Sequence, residues 1–360
     1  MKSSADARPI PVVLLGGAGY VSGELLRLLC LHPRFRVVGI GSDGHAGQRV
    51  VDAFHHLSGI GLDQLRFEPF EGLGRHFEKD LHLGLFAATP HGATASLLDT
   101  LLLRAERAGA RPHVVDLSAD GRFTDPEAFA AVYGLPHGAP HRCASFTCAV
   151  PEHYRGVPPA FAAQPGCFTT AAVLPLFPLF AMNLCEEGVF ICAVTGSSGS
   201  GRTPTAKTHH PERHANLSAY SPLAHRHEPE MARLLAAARP DCAPSVEFVP
   251  HSGPFVRGIH STIRATLREP SPASRIVAVL NEFYAASAFV EASSEPPALH
   301  EVVGTNRCRI GVAVRGRTIV MTSVIDNLVK GAAGGAIQWM NRLFALDDDT
   351  GLRLPGLGFC

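Results

Sequence analysis

The start of the chain alternates apolar strands with a helix around a glycine-rich turn. Residues 11–15 (PVVLL) form a continuous apolar run of the kind that a parallel sheet buries on both faces. The turn 16–23 (GGAGYVSG) follows, then an amphipathic helix predicted over 24–31 and a second strand predicted over 36–41. In this order the glycines let the backbone approach a phosphate, which the helix N-terminus favours. The pattern predicts an α/β fold with a dinucleotide site.

The same region leaves the choice of nicotinamide cofactor open. Read as Gly-x-x-Gly-x-x-Gly, the turn has Gly16 and Gly19, with Ser22 in place of the third glycine. After the second strand, an acidic residue would favour NAD, whereas a serine with a nearby base would favour the 2′-phosphate of NADP. Ser42 and Asp43 stand there side by side. Both cofactors therefore fit this segment.

Further apolar runs extend the predicted sheet. Strands are expected at 83–88 and 113–117, and a helix is expected over 93–108. The loop 89–92 (TPHG) follows the first of these strands. Because open α/β sheets bind ligands beyond the carboxyl ends of their strands, this loop is a candidate part of the cofactor site.

A cysteine follows a turn and precedes a helix in the middle of the chain. Pro165 and Gly166 predict the turn, Cys167 comes next, and residues 168–180 are apolar enough for a buried helix. Unpaired N–H groups and the dipole at a helix N-terminus favour a thiolate, which is a nucleophile at neutral pH. The alternative is a buried structural cysteine.

Two later segments carry polar groups next to predicted strands. A strand at 190–194 leads into the Gly/Ser-rich loop 195–202, whose donors and terminal Arg202 suit a phosphate or carboxylate, unless the loop is only a linker. A strand at 319–325 leads into a small-residue helix predicted from 326 to about 343. Asn327 could there hydrogen-bond a carboxamide, although the helix could also serve packing alone.

Histidines are dense between the two segments: His209, His210, His214, His225 and His227. Histidine is the commonest metal ligand, but the Cys/His spacing matches no zinc pattern. We therefore predict no metal. The run 225–230 (HRHEPE) is better explained as a helix start with an acid/base group and a substrate-orienting group.

Composition narrows the class of protein. With 360 residues, 46% of them hydrophobic and 18% charged, the chain is expected to form two packed domains. Lys+Arg and Asp+Glu balance at 32 each, so there is no electrostatic case for binding nucleic acid or a membrane. Nine cysteines without framework spacing favour a cytoplasmic location. Residues 1–10 lack the apolar core of a signal peptide and are expected to be a disordered lead-in.

Nine motifs occur in an order known from one enzyme family. They are GGAGYVSGE at 16–24, PHG at 90–92, DLSADGRF at 116–123, VPE at 150–152, PGCFTTA at 165–171, GSSGSGR at 196–202, HRHEPE at 225–230, RGI at 257–259 and IDNLVKGAAG at 325–334. The chain resembles the N-acetyl-γ-glutamyl-phosphate reductases, NADPH-dependent enzymes of arginine biosynthesis in the aspartate-semialdehyde dehydrogenase superfamily.

The resemblance implies a fold and a domain plan. The fold is α/β, with a Rossmann-type doubly wound dinucleotide-binding domain and an α+β catalytic and dimerisation domain. The first domain would comprise residues 1–165, completed by a C-terminal helix at 326–345, and the second residues 166–325. The family also implies a homo-oligomer, either a dimer or a tetramer.

The resemblance implies roles for individual residues as well. Cys167 would attack the acyl phosphate and form a thioester, NADPH would reduce it, and His225 would supply a proton to the collapsing thiohemiacetal. The implied substrate-binding residues are Arg122, Arg202, His227 and Glu230. The implied NADP(H) contacts are Gly16, Gly19, Tyr20, Val21, Ser42, Pro90, His91, Ser198, Gly199 and Asn327.

Departures from the family pattern leave a second class of substrate, a carrier-linked acyl phosphate, as an alternative. Thr169 replaces a frequent proline, and Gly121 replaces a bulky residue. The segment 208–213 (THHPER) is similar to reductases of glutamyl or aminoadipyl phosphates attached to an amino-group carrier protein. Because the chain keeps the Pro-Gly-Cys-aromatic run, we favour the free N-acetylated acyl phosphate, a small molecule. The more distant alternatives are a non-catalytic NADP-sensing protein and a metallohydrolase.

Overall fold

The structure, a computed structural model, describes residues 8–358 and divides them into two compact units. The first unit contains the described residues up to Cys148, together with Gly156–Gln164 and Ala336–Leu352. The second contains Ala149–Arg155, Pro165–Gly335 and the described residues from Arg353 onward. The predicted division differs from these units at 149–155, at Pro165 and at 326–335. No helix within residues 8–358 combines the length and apolarity that a membrane crossing requires.

The expected disordered lead-in covers residues 1–10, of which 1–7 lie outside the described residues. The prediction is wrong at Ile10, which begins the first strand. Its N–H donates to the Arg34 carbonyl (2.7 Å), and it pairs with Phe35 of the neighbouring strand. Pairing in the sheet therefore orders the chain from this residue.

A seven-stranded sheet forms the centre of the first unit. Its strands are β1 (Ile10–Leu15), β2 (Phe35–Gly41), β3 (Phe67–Glu68), β4 (His82–Ala87), β5 (Arg111–Asp116), β6 (Phe146–Cys148) and β7 (Phe161–Ala163). All pairs are parallel, in the order β3-β2-β1-β4-β5-β7-β6. The α-helices between these strands in the sequence are α1 (Tyr20–Leu29), α2 (Val50–Ala53), α3 (Thr94–Ala108) and α4 (Pro126–Tyr133). The order 3-2-1-4-5 confirms the Rossmann-type domain.

The helix α1 begins four residues earlier than predicted. Gly19 is its N-cap in an extended conformation, and Tyr20 is already helical. Gly23 is therefore a helix residue, where a Cβ atom would lie 2.7 Å from the Phe54 ring. The last glycine of the motif thus permits close packing of α1, rather than extending the turn.

A second seven-stranded sheet, which is mixed, forms the second unit. Its strands are β8 (Cys185–Thr195), β9 (Ser218–Ala219), β10 (Ser245–Ser252), β11 (Ile259–Leu267), β12 (Val290–Ser293), β13 (Cys308–Arg315) and β14 (Thr318–Ile325). The order is β12-β13-β14-β11-β8-β10-β9. The remaining helices are α5 (Cys167–Ala181), α6 (His210–Arg213), α7 (His227–Ala238), α8 (Ala273–Phe283) and α9 (Gly334–Leu343). This mixed unit confirms the predicted α+β domain.

The register of the second sheet brings three chain segments to one edge. Ile259, at the start of β11, pairs with Thr195 at the end of β8 and with Ile325 at the end of β14. The residues that follow β8 and β14 and precede β11 must therefore lie side by side. These are the Gly/Ser-rich loop, the Asp326–Asn327 pair and the Arg257–Gly258 pair.

The helix predicted from 326 to 343 is divided in the structure. Asp326 Oδ1 accepts the N–H groups of Leu328 and Val329 (2.8 and 3.1 Å), and the chain then forms a π-helical turn at Val329–Ala333. The α-helix begins only at Gly334. From Ala336 onward α9 belongs to the first unit, where Trp339 is fully buried.

The helix α5 contains two prolines and is stabilised by a tyrosine. Pro178 has no N–H, so the Leu174 carbonyl loses its usual i+4 donor. The Tyr284 hydroxyl donates to that carbonyl at 2.5 Å, and Tyr284 is itself buried. A side chain from beyond α8 thus replaces the hydrogen bond that the proline removes.

We expect Tyr284→Phe to lower the free energy of unfolding by about 1–3 kcal/mol, because it leaves a buried carbonyl without a donor. Urea unfolding measures the loss. In the control background Pro178→Ala the helix regains its own N–H donor, so there the same substitution should cost clearly less. An equal cost in both backgrounds would contradict the explanation.

Candidate active site

Cys167 is the first residue of α5 and is half-buried. Gly166 is the N-cap, with extended φ and ψ of −57° and 152°, and its carbonyl accepts the Thr170 N–H (2.8 Å). The thiol therefore lies at the helix N-terminus, as the sequence predicts. Unpaired N–H groups and the dipole at this position favour a thiolate over a thiol.

A buried carboxylate holds the turn before the cysteine. Glu230 is fully buried in α7, and its Oε1 accepts the Gly166 N–H at 2.7 Å. This contact fixes the backbone that carries the nucleophile. The predicted contact of Glu230 with substrate stays a prediction.

Two glycines let other parts of the unit approach this turn closely. A Cβ atom on Gly166 would lie 2.4 Å from His227 Nε2, and one on Gly331 would lie 2.7 Å from Cys167 Cβ. Real Cβ atoms do not approach that closely. The π-helical turn and the α7 start therefore pack directly against the residues around the thiol.

A cleft of about 420 Å³ in the second unit contains several of the predicted residues. Its lining residues are Cys167, Phe168, Thr195, Gly199, Ser200, Tyr220, Ser221, Ala224, His225, Arg226 and His227. The fold thus brings Cys167 and His225 to one cleft although 58 residues separate them in sequence (225 − 167). The exposed Arg202 lies outside this lining.

His225 is held in one protonation state. Burial lowers the pKa of its imidazole to about 4, and the neighbouring Arg226 adds to the effect. The ring is therefore neutral at pH 7. Because Nδ1 accepts the His227 N–H (3.1 Å), the neutral ring carries its proton on Nε2. Its Nε2 can donate a hydrogen bond to a reacting oxygen or sulfur.

Two cleft residues were missed by sequence reasoning. Tyr220 lies with its ring 5.6 Å from that of His225, and burial raises its pKa, with the nearby Cys167 adding to the rise. Arg226 supplies a positive charge to the lining. Arg226 could have been proposed from its place between two histidines, whereas Tyr220 sits in an irregular segment without a motif.

Ser198, Gly199 and Asn327 meet at the sheet edge described above. The Ser198 hydroxyl donates to the Val256 carbonyl (2.7 Å), and Asn327 Nδ2 donates to that hydroxyl (3.0 Å). Asn327 Oδ1 accepts the Gly258 N–H at 2.7 Å. These bonds fix the Gly/Ser loop, whose Gly199 lines the cleft.

Asp326 organises the same edge, a role that the sequence does not reveal. It is fully buried, and its Oδ2 accepts the Gly304 N–H (2.7 Å) and the Arg257 Nε–H (3.0 Å). Its Oδ1 accepts the two N–H groups that open the π-helical turn. One carboxylate therefore links three segments.

The glycine turn of the first unit has the shape that a dinucleotide needs. A Cβ atom on Gly16 would lie 2.9 Å from the Ala88 carbonyl oxygen, and one on Gly17 would lie 2.8 Å from Ser42 Oγ. By contrast, a Cβ atom on Gly19 would meet nothing within 4 Å. The N-terminus of α1 thus faces open space, which fits a bound diphosphate.

The predicted cofactor residues around that turn differ in exposure. Tyr20 is 42% exposed in the first turn of α1, and Val21 beside it is partly buried. Ser42 is buried, with its Oγ 3.1 Å from His45 Nδ1. Asp43 accepts the Phe70 N–H through Oδ1 (2.8 Å), so part of its carboxylate serves the loop itself.

The loop containing Pro90 and His91 is held by the DLSADGRF motif. Asp120 accepts the N–H groups of Gly92 (2.7 Å) and Ala95 (2.9 Å), and His91 Nδ1 accepts the Ala119 N–H (3.0 Å). The motif therefore positions the loop that follows β4. Pro90 and His91 lie at the carboxyl end of that strand, as predicted.

Arg122 of the same motif is buried in the first unit. Its Nε donates to the Gln164 carbonyl (3.1 Å) and its Nη2 to the Leu117 carbonyl (3.4 Å). These bonds connect the segments after β5 and β7. The predicted contact of Arg122 with substrate stays a prediction.

The histidine-rich segment forms no metal centre in the described part of the chain. Within residues 8–358, no three His, Cys, Asp or Glu side chains are grouped so that they could hold a metal ion.

Both units match the semialdehyde dehydrogenase family. A family model described as semialdehyde dehydrogenase, NAD binding domain, matches residues 11–146, and one described as semialdehyde dehydrogenase, dimerisation domain, matches residues 167–327. Aspartate-semialdehyde dehydrogenases of known structure share the fold. The enzyme II from Vibrio cholerae has a TM-score of 0.68 at 17% identity, over 94% of this chain and 99% of the other. That from Candida albicans has a TM-score of 0.68 at 17% identity, over 95% and 99%.

Curated relatives of similar length show which family of semialdehyde dehydrogenase-like enzymes the chain resembles. Proteins named N-acetyl-gamma-glutamyl-phosphate reductase are 37% identical in Dehalococcoides mccartyi, over 94% of this chain and 96% of the relative, and 38% identical in Pseudomonas syringae, over 97% and 99%. The protein of that name in Methanocaldococcus jannaschii is 37% identical over 96% and 98%. The chain belongs to the N-acetyl-γ-glutamyl-phosphate reductase family, as its motifs predict.

Gly166→Ala should displace the His227 ring or the turn before Cys167, because the added methyl group has no room. Overpacking of this kind costs about 1–3 kcal/mol in the free energy of unfolding. Urea unfolding measures that loss, and the rate of Cys167 alkylation by iodoacetamide reports the displaced thiol.

The matched control is Gly188→Ala, since Gly188 lies in β8 of the same unit and a Cβ atom there meets nothing within 4 Å. It should leave stability and alkylation close to those of the wild type. Equal effects of the two substitutions would count against the steric explanation.

The half-buried, neutral His225 predicts a loss of stability in acid. Its pKa is about 4 in the folded chain and 6.5 in the unfolded one, so the unfolded state binds the proton more readily between these values. Stability should therefore fall as the pH decreases from 6.5 to 4. His225→Gln should remove part of this slope in urea unfolding at several pH values, whereas His56→Gln, at an exposed histidine, should not. An unchanged slope in His225→Gln would refute the assignment.

Proposed function

We propose that this chain uses NADPH to reduce N-acetyl-γ-glutamyl phosphate to N-acetylglutamate 5-semialdehyde, with release of phosphate, in arginine biosynthesis. The observation that carries the proposal is the shared cleft of Cys167 and His225, in a chain related to named reductases over nearly its whole length. The residues of the cleft supply a nucleophile at a helix N-terminus and a neutral proton donor.

Cys167 performs the covalent steps. Its thiolate attacks the acyl carbon, the S–C bond forms, the C–O bond to phosphate breaks, and inorganic phosphate leaves. The acyl group is then held as a thioester. After reduction, the S–C bond of the thiohemiacetal breaks, and the sulfur leaves as a thiolate that the helix N-terminus again stabilises.

His225 serves the oxygen of the reacting carbonyl. With Nδ1 occupied by the His227 N–H, its Nε2–H donates toward the oxygen on which negative charge develops. The proton stays on Nε2 throughout, because its loss would leave an imidazolate, and the hydrogen bond weakens when the carbonyl re-forms. Arg226, in the same lining, offsets the negative charge of the acyl phosphate.

When bound, the nicotinamide cofactor supplies the hydride for the reduction. The residues proposed to contact it are Gly16, Gly19, Tyr20, Val21, Ser42, Pro90, His91, Ser198, Gly199 and Asn327. We favour NADP over NAD for two reasons. One oxygen of the Asp43 carboxylate already accepts the Phe70 N–H, and Ser42 places no negative charge where the 2′-phosphate of NADP would lie. The aspartate-semialdehyde dehydrogenase of Candida albicans was itself solved with NADP.

Further contacts complete the proposal. Arg122 and Arg202 are proposed to bind the substrate's phosphate and carboxylate, and His227 and Glu230 are proposed as further substrate contacts. Glu230 also holds the turn before Cys167. A homo-oligomer is proposed, since residues 167–327 match a dimerisation domain. Nine cysteines without framework spacing support a cytoplasmic location.

The reverse reaction tests the proposal. N-acetylglutamate 5-semialdehyde, NADP and phosphate should give NADPH, with a rate at least about tenfold higher than with NAD. Cys167→Ala should abolish turnover, and His225→Ala should lower kcat by about 10²- to 10³-fold, the usual contribution of one hydrogen-bond donor to a developing oxyanion. Absorbance at the nicotinamide band provides the measurement.

Cys192→Ala is the matched control, because this half-buried cysteine lies outside the cleft lining. It should retain activity. Turnover of a glutamyl or aminoadipyl semialdehyde on an amino-group carrier protein, without turnover of the free substrate, would assign the chain to the carrier-linked reaction instead. Cofactor binding without either turnover would indicate a sensing protein.

A further inference from the structure

Two of the motifs contain a charged residue that has no role in the proposed reaction. They are Glu152 in Val-Pro-Glu and Lys330 in the run after β14. The structure joins them: Lys330 Nζ lies 2.5 Å from Glu152 Oε1, and both side chains are buried, Lys330 completely. The Ser287 hydroxyl also donates to Glu152 Oε1 (3.3 Å), and the Phe289 ring lies 5.4 Å from Lys330 Nζ.

Lys330 belongs to the element that touches the nucleophile. It lies in the π-helical turn Val329–Ala333, and the next residue, Gly331, is the glycine that packs on Cys167 without room for a Cβ atom. A π-helical turn is rare and occurs frequently at functional sites. A displacement of Lys330 would therefore be transmitted to the surface against which Cys167 rests.

Glu152 belongs to a segment that also holds α5, the helix that begins with Cys167. The next residue, His153, stacks on Phe177 of α5 with ring centroids 3.9 Å apart. Its Nε2 is 2.7 Å from the Tyr284 hydroxyl, which donates to the Leu174 carbonyl of α5. Residues 152 and 153 thus connect the π-helical turn with α5.

We propose that the Lys330–Glu152 ion pair is a positioning device for Cys167: it fixes the π-helical turn against the thiol-bearing end of α5. The inference rests on the proposed function in taking Cys167 as the nucleophile. Neither charged group is in the cleft lining, so both act through Gly331 and α5 rather than on the substrate.

The chemistry of burial supports a role beyond stability. Two charges removed from water gain little net stability from pairing, and neutral groups of similar size are often as good or better. What an ion pair does supply is a defined distance and direction between the two segments that carry it. Around a nucleophile such definition matters, because a displacement of about 1 Å can cost about 100-fold in rate.

The experiment compares Glu152→Gln, Lys330→Met and the double variant. Each single variant leaves one buried charge without its partner, and should lower Tm and lower kcat by about 10- to 100-fold, with KM changing less than about threefold. The double variant removes both charges of the pair, so neither is left buried without a partner. Its Tm should therefore recover while kcat stays low. The alkylation rate of Cys167 by iodoacetamide, followed from pH 6 to 9 on its own peptide by mass spectrometry, should stay altered with kcat.

A purely structural pair gives a different result. Recovery of kcat and of the alkylation profile together with Tm in the double variant would overturn the proposal, as would unchanged kcat in folded single variants. If the neutral variants do not fold, Lys330→Arg keeps both charges but places a wider group in the π-turn. A lowered kcat in this variant supports the proposal, and wild-type kcat overturns it.

Two controls separate this inference from the proposed function. Glu291→Gln breaks the exposed pair between Glu291 and Arg309 in the same unit and should change none of the readouts. Failure of the wild-type protein to turn over either acyl substrate refutes the proposed function. The alkylation profile needs no turnover, and would still show whether the pair positions the thiol.

Discussion

The site depends on close packing around the N-terminus of α5, where two glycines contact neighbouring side chains. Gly166 lies so near His227, and Gly331 so near Cys167, that neither position has room for a Cβ atom. The Glu230 carboxylate then fixes the Gly166 N–H from a fully buried position. Three elements that are distant in sequence thereby determine where a single sulfur atom lies.

The mixed sheet makes that convergence possible. Because β11 is antiparallel to both β8 and β14, its start lies next to their ends, and the loops at these ends share one edge. Asp326 and Asn327 then connect the loops through buried hydrogen bonds. Buried polar groups that are fully paired in this way specify one arrangement, since any other would leave them without partners.

Much of the fold and the main residues of the site could be predicted from the sequence, and the failures have physical causes. The glycine turn and the helix after Pro165–Gly166 are local signals, so Cys167 was placed correctly on its helix. The start of α1 was predicted late, because Gly23 serves packing against Phe54 rather than a turn. Contacts between segments that are distant in sequence give Tyr220, Asp326 and the Lys330–Glu152 pair their places. No local pattern in the sequence predicts such contacts.

The acid–base character of the cleft follows from burial rather than from an ion pair. His225 is neutral at pH 7, and the raised pKa of Tyr220 keeps its hydroxyl protonated, so both face the cleft as uncharged groups able to donate. His225 therefore offers no imidazolium charge to a thiolate beside it, whereas the N-terminus of α5 favours the anion. Uncharged donors suit a carbonyl oxygen whose negative charge appears only transiently, because they stabilise it without forming a permanent ion pair with the substrate. Arg226 adds a permanent positive charge to the same lining.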